Sequence, residues 1–533
     1  METKIIRTKL LTKLLVAKQM AYCKFPDVYC WIQKLPPISE WRTISMSLTI
    51  CSSSKSSQPS LSLTIAKNHQ TPNKVIFAIV ADFSIPISLW TSKPFKPNPK
   101  TMRLIDSEET ISNLLVNFIE DILHYGPNKN TNTSYIKFPY SNPNNIPNFE
   151  EIFNLAFLTL LFLVCIYEAP LDIRSTCLTT LKNNLQGCQS RQASKLLMKM
   201  LGNNLEEQWM RSINLAITNW IVETQQHEPH LNHHHQHSMM RTPSPLYSYS
   251  FSTLGLWKVQ LYCPVISMDV VHSNHHHYLA ADERLQFSLK YHQLEGVLQF
   301  NHRVLNRERW IDIIVNIDNI RCDVLKLVDD SLLRERGAGA SEKYFPSRIL
   351  LQLTPMVQHQ VLSLSVGKSS ENPSIEIGME RGIEASFQPP NPQVGLTFSA
   401  GESSTVSLKP WKFEQSVYGY SANLNWILHD SVDGREVFSS KPSKIALVNP
   451  KSWFKDRYSS AYRPFTRQGG VIFAGDEYGE SVCWKVDKGA KGKTMEWEIR
   501  GWIWVTYWPN KYKTFYDETR RLEFREILHV NIP

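Results

Sequence analysis

The sequence lacks every common catalytic signature. Across 533 residues there is no Gly-x-Ser-x-Gly elbow, no Walker A loop, no His-Glu-x-x-His, no dinucleotide fingerprint and no zinc-spaced Cys/His set. The familiar hydrolase, nucleotide-binding and zinc-enzyme classes are therefore without support. The acidic pairs Asp329–Asp330 and Asp476–Glu477 read as solvated turns, so no catalytic residue is nominated and no cofactor or metal is expected. Repeats at solenoid or propeller periods are absent, as is a strand–helix–strand rhythm.

Cysteine is also sparse in pairs. The nine cysteines (Cys23, Cys30, Cys51, Cys165, Cys177, Cys188, Cys263, Cys322 and Cys483) are odd in number and scattered, with no Cys-x-x-Cys. That excludes a disulfide framework and points to a reducing, intracellular compartment, cytoplasm or nucleus. The N-terminus has no compact apolar core with a small-residue cleavage site. Its basic, Ser-rich, acid-poor composition leaves organelle import as the alternative.

The one membrane candidate in the sequence is short for a span. The run Ile152–Tyr167, interrupted only by Asn154 and Thr159, covers sixteen residues and is bracketed by Glu150, Glu151 and Glu168. About twenty are needed to cross a bilayer, so a buried core helix is expected, with a membrane anchor at 152–167 as the alternative.

What is present is ample for several domains, with 42% hydrophobic and 11% aromatic residues. The net charge of +9 sits in residues 1–100, where fourteen Lys/Arg face four acidic residues, so the remainder is near neutral. Net charge thus gives no reason to expect nucleic-acid binding by the body of the chain.

Residues 1–101 show no sustained period and are interrupted by Pro36, Pro37, Pro59, Pro72, Pro86, Pro94, Pro97 and Pro99. They read as a disordered basic leader in which Val75–Val80 forms at most one isolated strand. Order begins abruptly after Met102, which raises the hypothesis that translation starts there. Asp106 with Glu109 makes a capping box, followed by Ile111, Leu114, Leu115, Phe118, Ile119 and Ile122 at helical spacing. A helix ending near Gly202 and another capped by Asn204 with Glu207 complete an expected helical bundle over 102–225.

A His-rich linker spans 226–247, and residues 248–533 alternate with period two. Strands are expected at Leu285/Phe287/Leu289/Tyr291, Ile311/Ile313/Val315/Ile317, Val482/Trp484/Val486 and Leu522/Phe524 through Leu528/Val530/Ile532. Val482–Val486 and Met495–Ile499 read as a hairpin, and Gly501 as a bulge or a strand buried on both faces. The fold class that follows is α+β in two domains, an N-terminal helical bundle and a large antiparallel β-sandwich or barrel.

Three constellations carry chemistry. His227, His230, His233, His234, His235 and His237, like His275–His277, offer imidazoles without preorganisation, so adventitious metal binding is the better reading. Trp453, Phe454, Tyr458, Tyr462 and Phe465 interleave with Lys455, Arg457, Arg463 and Arg467. This is a candidate ligand-binding loop, set against the plainer reading of aromatics anchoring a loop to the core. Trp484, Trp497, Trp502, Trp504 and Trp508 are candidates for lining a carbohydrate or peptide groove, although alternation directs many of them inward.

The stretches Leu298–Arg303, Phe345–Leu353, Lys409–Tyr418, Leu424–Ser440, Tyr462–Glu480 and Glu496–Asn510 resemble a family of uncharacterised plant proteins over roughly residues 105–533. The resemblance implies a plant origin and transfers no activity, cofactor or site residue. The function expected from the residues is a non-enzymatic binding or scaffolding protein that meets a protein partner through its β-domain. The alternatives are a membrane-anchored protein and an enzyme of unrecognised class.

Overall fold

The computed structural model describes residues 25–51, 60–68, 71, 74–97, 108–127, 147–185, 188–227, 247–271, 287, 289–329, 343–367, 375–381, 402–408, 411–428, 471–474, 481–508 and 518–533. The chain divides into two compact units, Met1–Tyr249 with Leu327–Asp329, and Ser250–Lys326 with Asp330–Pro533.

In the first unit, α1 (Val28–Gln33) precedes a four-stranded antiparallel meander of β1 (Ser45–Cys51), β2 (Ser60–Lys67), β3 (Val75–Asp82) and β4 (Ile87–Thr91). Four helices follow: α2 (Glu108–His124), α3 (Phe149–Tyr167), α4 (Leu171–Leu185) and α5 (Cys188–His227), the last broken at Gly202 with φ 76°. The unit is therefore not the expected helical bundle, and four paired strands stand where at most one isolated strand was expected. Of the prolines that suggested disorder, Pro86 falls between β3 and β4, where it interrupts no ladder, while Pro59 and Pro72 lie outside the described residues. Leu61, Leu63 and Ile65 of β2 and Val75, Phe77, Ile79 and Ala81 of β3 alternate inward and are buried.

This sheet belongs structurally with the helices. The Trp90 indole N–H donates to Asp121 of α2 at 2.9 Å, the Lys93 N–H donates to Asn117 at 3.2 Å, and the Trp90 ring lies 5.8 Å from Phe118. Burial raises the Asp121 carboxyl above the usual carboxylate range, opposed by the Trp90 hydrogen bond. At the other end, Asp27 caps α1 by accepting the Cys30 N–H at 2.8 Å and also accepts from Asn154 of α3 at 3.0 Å. Its hydrogen bond with Glu150 pushes that carboxyl up to about 6.

Helix α3 contains the apolar run. It is long and apolar enough to cross a membrane by length and composition, yet α1, α2, α4 and α5 all pack against it. Fifteen of its nineteen residues are buried, and Phe153 and Phe157 sit 5.3 and 5.5 Å from Phe118. Its apolarity on every side is thus accounted for by neighbours on every side.

The second unit holds a seven-stranded and a six-stranded antiparallel sheet around one core. The first sheet runs β11 (Val361–Val366), β17 (Ser481–Asp487), β9 (Trp310–Lys326), β8 (His292–Asn306), β6 (Leu256–Pro264) and β5 (Ser248–Thr253), with β16 (Val471–Ala474) also on β9. The second runs β14 (Trp411–Tyr418), β15 (Ser421–Leu428), β10 (Lys343–Pro355), β18 (Thr494–Trp508), β19 (Glu518–Asn531) and β7 (Asp269–Val270). A separate ribbon pairs β12 (Ile375–Arg381) with β13 (Glu402–Leu408).

The shared core takes Ile311, Ile313, Val315 and Ile317 from one sheet and Ile349, Leu351, Leu424 and Trp426 from the other. Trp497 lies 5.8 Å from both Trp257 and Trp484. The indoles of Trp257 and Trp484 are satisfied by backbone, Trp257 donating to the His529 carbonyl at 2.8 Å and Trp484 to that of Tyr420 at 3.0 Å.

Three local expectations change here. Val482–Val486 and Met495–Ile499 do not pair; β17 pairs with β9 and β11, β18 with β10 and β19, and the short loop between them crosses from one sheet to the other. Phe287 and Leu289 are helical, and the strand starts at His292. At Gly501 the ladder is unbroken on both sides, Leu351 and Phe524 being its partners. The glycine is needed because a Cβ there would stand 2.1 Å from the Phe524 ring.

Among the described cysteines, Cys51, Cys165, Cys177, Cys263 and Cys322 are buried and form no disulfide. Burial pushes the Cys263 thiol up to about 12 and raises those of Cys165 and Cys322 as well.

Candidate ligand-binding face

One irregularity decides which side chains of the six-stranded sheet face outward. Pro346 has no N–H to give the ladder, and the register of β10 against β18 shifts between Pro346 and Arg348. The extra residue, Ser347, reverses the phase of the strand. Before it, Tyr344 pairs with Tyr507 and both are buried; after it, Ile349, Leu351 and Leu353 are the buried set. Arg348, Leu350 and Gln352 are thereby carried to the outer face.

Register then assembles three rows across the sheet. Glu414, Asn425, Leu350, Trp502 and Glu523 form one; Ser416, Asn423, Gln352, Arg500 and Arg525 the next; Ile427, Arg348, Trp504 and Arg521 the third. Cross-strand neighbours on one face lie about 5 Å apart, close enough for direct contact.

These contacts hold the face in one arrangement. The Arg348 Nε donates to Asn425 Oδ1 at 3.0 Å while its guanidinium covers the Trp504 ring at 4.8 Å. Arg500 lies 4.9 Å over Trp502 and donates to Glu523 at 2.8 Å. Arg525 pairs with Glu498, and Gln415 donates to the Gly367 carbonyl, tying β14 to the end of β11. Stacked guanidiniums of this kind lose less freedom on meeting a ligand than mobile ones.

Between β14 and β18 the face opens into a groove of about 660 Å³, lined by Arg348, Leu350, Gln352, Glu414, Gln415, Ser416, Asn423, Asn425 and Trp502. Its chemistry is four amides, a hydroxyl, one cation, one anion and two apolar side chains. Glycoside hydrolysis generally uses two carboxyl groups, and this lining supplies one. Among the described residues no group of three or more His, Cys, Asp or Glu could hold a metal ion.

The candidates read from sequence separate clearly. Trp484 and Trp497 are core residues, Trp504 is 8% exposed beneath Arg348, and Trp502 is half-buried on the groove. Trp508 closes β18, its side chain outside the described residues. The loop candidates Trp453, Lys455, Arg457, Tyr458, Tyr462, Arg463 and Arg467 also lie outside the described residues, as do His230–His237 and His275–His277. Sequence reading missed Arg348, Gln352, Glu414, Asn423 and Asn425. Their signal was present in the polar alternation of Arg348-x-Leu350-x-Gln352 and Asn423-x-Asn425.

No protein-family model and no curated protein matches the chain. Among solved structures, similarity is found to the Clostridium perfringens delta-toxin at 10% identity and a TM-score of 0.20, covering 53% of this chain and 100% of that one. The C. perfringens NetB toxin in its membrane-inserted form gives 10% and 0.19 over 53% and 97%, and a pore-forming protein 9% and 0.17 over 53% and 99%. Superpositions this loose establish neither a shared fold nor an activity.

Proposed function

We propose that the protein is a non-enzymatic recognition module that holds its ligand in the groove on the outer face of β14, β15, β10 and β18. The observation that carries this reading is the set of three cross-strand rows, which gathers Arg348, Asn423, Asn425, Gln352, Glu414 and Trp502 on one open surface. Arg348 stacked on Trp504 and Arg500 on Trp502 give that surface a fixed arrangement of polar groups, as a recognition site requires. The volume falls in the range of small-ligand sites, about 300–1,000 Å³.

The test is a thermal-shift screen of the full chain against peptides, nucleotides and oligosaccharides, repeated with Trp502→Ala and Asn425→Ala. A ligand that raises the melting temperature of the wild type and of neither variant supports the groove. A ligand that stabilises all three equally places recognition elsewhere and overturns the reading.

A further inference from the structure

Resting on that reading of the groove, we propose that its ligand is a neutral oligosaccharide. Charge points this way first. The single cation of the lining, Arg348, is balanced by a single anion, Glu414, which lies two strands away in the adjacent row. A groove for a phosphate, a carboxylate or a nucleic-acid backbone gathers cations of one sign, and an amine site gathers carboxylates.

The uncharged lining then specifies the ligand. Gln352, Gln415, Asn423 and Asn425 are amides and Ser416 adds a hydroxyl; with the Asn425 oxygen taken by Arg348 and the Gln415 amide by the Gly367 carbonyl, Gln352 and Asn423 are the two that bring donors and an acceptor together. Such a set matches a molecule whose every polar group is itself donor and acceptor, which is what a sugar hydroxyl is. Trp502, one face of which Arg500 covers, and Leu350, adjacent in one row, supply an apolar patch on which the C–H face of a pyranose ring can rest. From β14 to β18 the groove spans about 14 Å, three interstrand spacings, which is longer than one ring and suits a short chain of them.

Orientation follows from what is already fixed. Arg348, held by Asn425 and the Trp504 ring, presents donors in a set direction.

Isothermal titration of the full chain with neutral tri- and tetrasaccharides of glucose, xylose, mannose and galactose tests the assignment, with oligogalacturonate as the acidic comparison. Trp502→Ala and Asn425→Ala are the groove variants, and Leu254→Ala, at a site 98% exposed, is the control. The expected result is saturable binding of at least one neutral series, weakened about tenfold or more in both groove variants and unchanged in the control. Circular dichroism melts within error of wild type show that the variants are folded. Binding of oligogalacturonate alone, or of a peptide or nucleotide alone, with loss in Trp502→Ala, overturns the neutral-oligosaccharide assignment and leaves the groove standing. Sugar binding indifferent to both variants overturns the groove as well, and so does the absence of binding by any class at millimolar concentration.

Discussion

Helix α3 and strand β18 are the two segments whose sequences look too apolar for a surface, and they resolve that excess differently. A helix presents its side chains around a full cylinder, so α3 needs α1, α2, α4 and α5 around it to be buried. A strand has only two faces, and β18 buries Ile499, Ile503, Val505 and Tyr507 on one while Trp502 and Trp504 stand on the other beside Arg348 and Arg500. Apolar content in the helix reports packing. In the strand, the part of it on the outward face reports a surface built for contact.

The comparison breaks most visibly at Leu161, wholly buried in α3. Leu161→Asp leaves an unpaired charge with no route to water and should cost about 4 kcal/mol or more, seen as loss of cooperative melting of the first unit. On the inward side of β18, Trp497→Ala removes the ring between Trp257 and Trp484 and should cost roughly 3–5 kcal/mol in urea denaturation. Gly501→Ala forces Phe524 aside and should cost about 1–3 kcal/mol by the same measurement.

On the outward side, Trp502→Ala should change stability by about 1 kcal/mol or less while weakening groove binding about tenfold or more. A loss as large as that of Trp497→Ala would show that the two faces of β18 do the same job.

The smallest effect lies at the end of α3. The Glu150 carboxyl titrates near 6 in the folded protein, chiefly through its hydrogen bond with Asp27. A raised acid pKa means the folded state holds the proton more tightly than the unfolded chain. The stabilisation is therefore complete below about 4.5 and is lost as pH rises through about 6. Glu150→Gln should flatten the dependence of melting temperature on pH across that window, a slight change because the site is exposed.

Period-two alternation made β9, β17 and β19 legible, since each has one face in a core. It did not reveal which strands are partners, because pairing is a long-range choice that a short loop between β17 and β18 conceals. The sheet β1 to β4 was hidden by its punctuation: prolines and serines between strands outweighed the short alternations of Leu61, Leu63, Ile65 and Val75, Phe77, Ile79. The groove was half legible. The tryptophans drew attention by type, but Arg348, Asn423 and Asn425 acquire meaning only once the extra residue Ser347 has set the phase of β10 and the strands have been laid side by side.

The buried sulfhydryls offer an internal clock. Three of them, Cys51, Cys165 and Cys177, sit in the first unit and two, Cys263 and Cys322, in the second. An alkylating dye reaches each set only when its own unit opens, so the order in which tryptic fragments take up label would reveal which half of the molecule gives way first, with no engineered reporter.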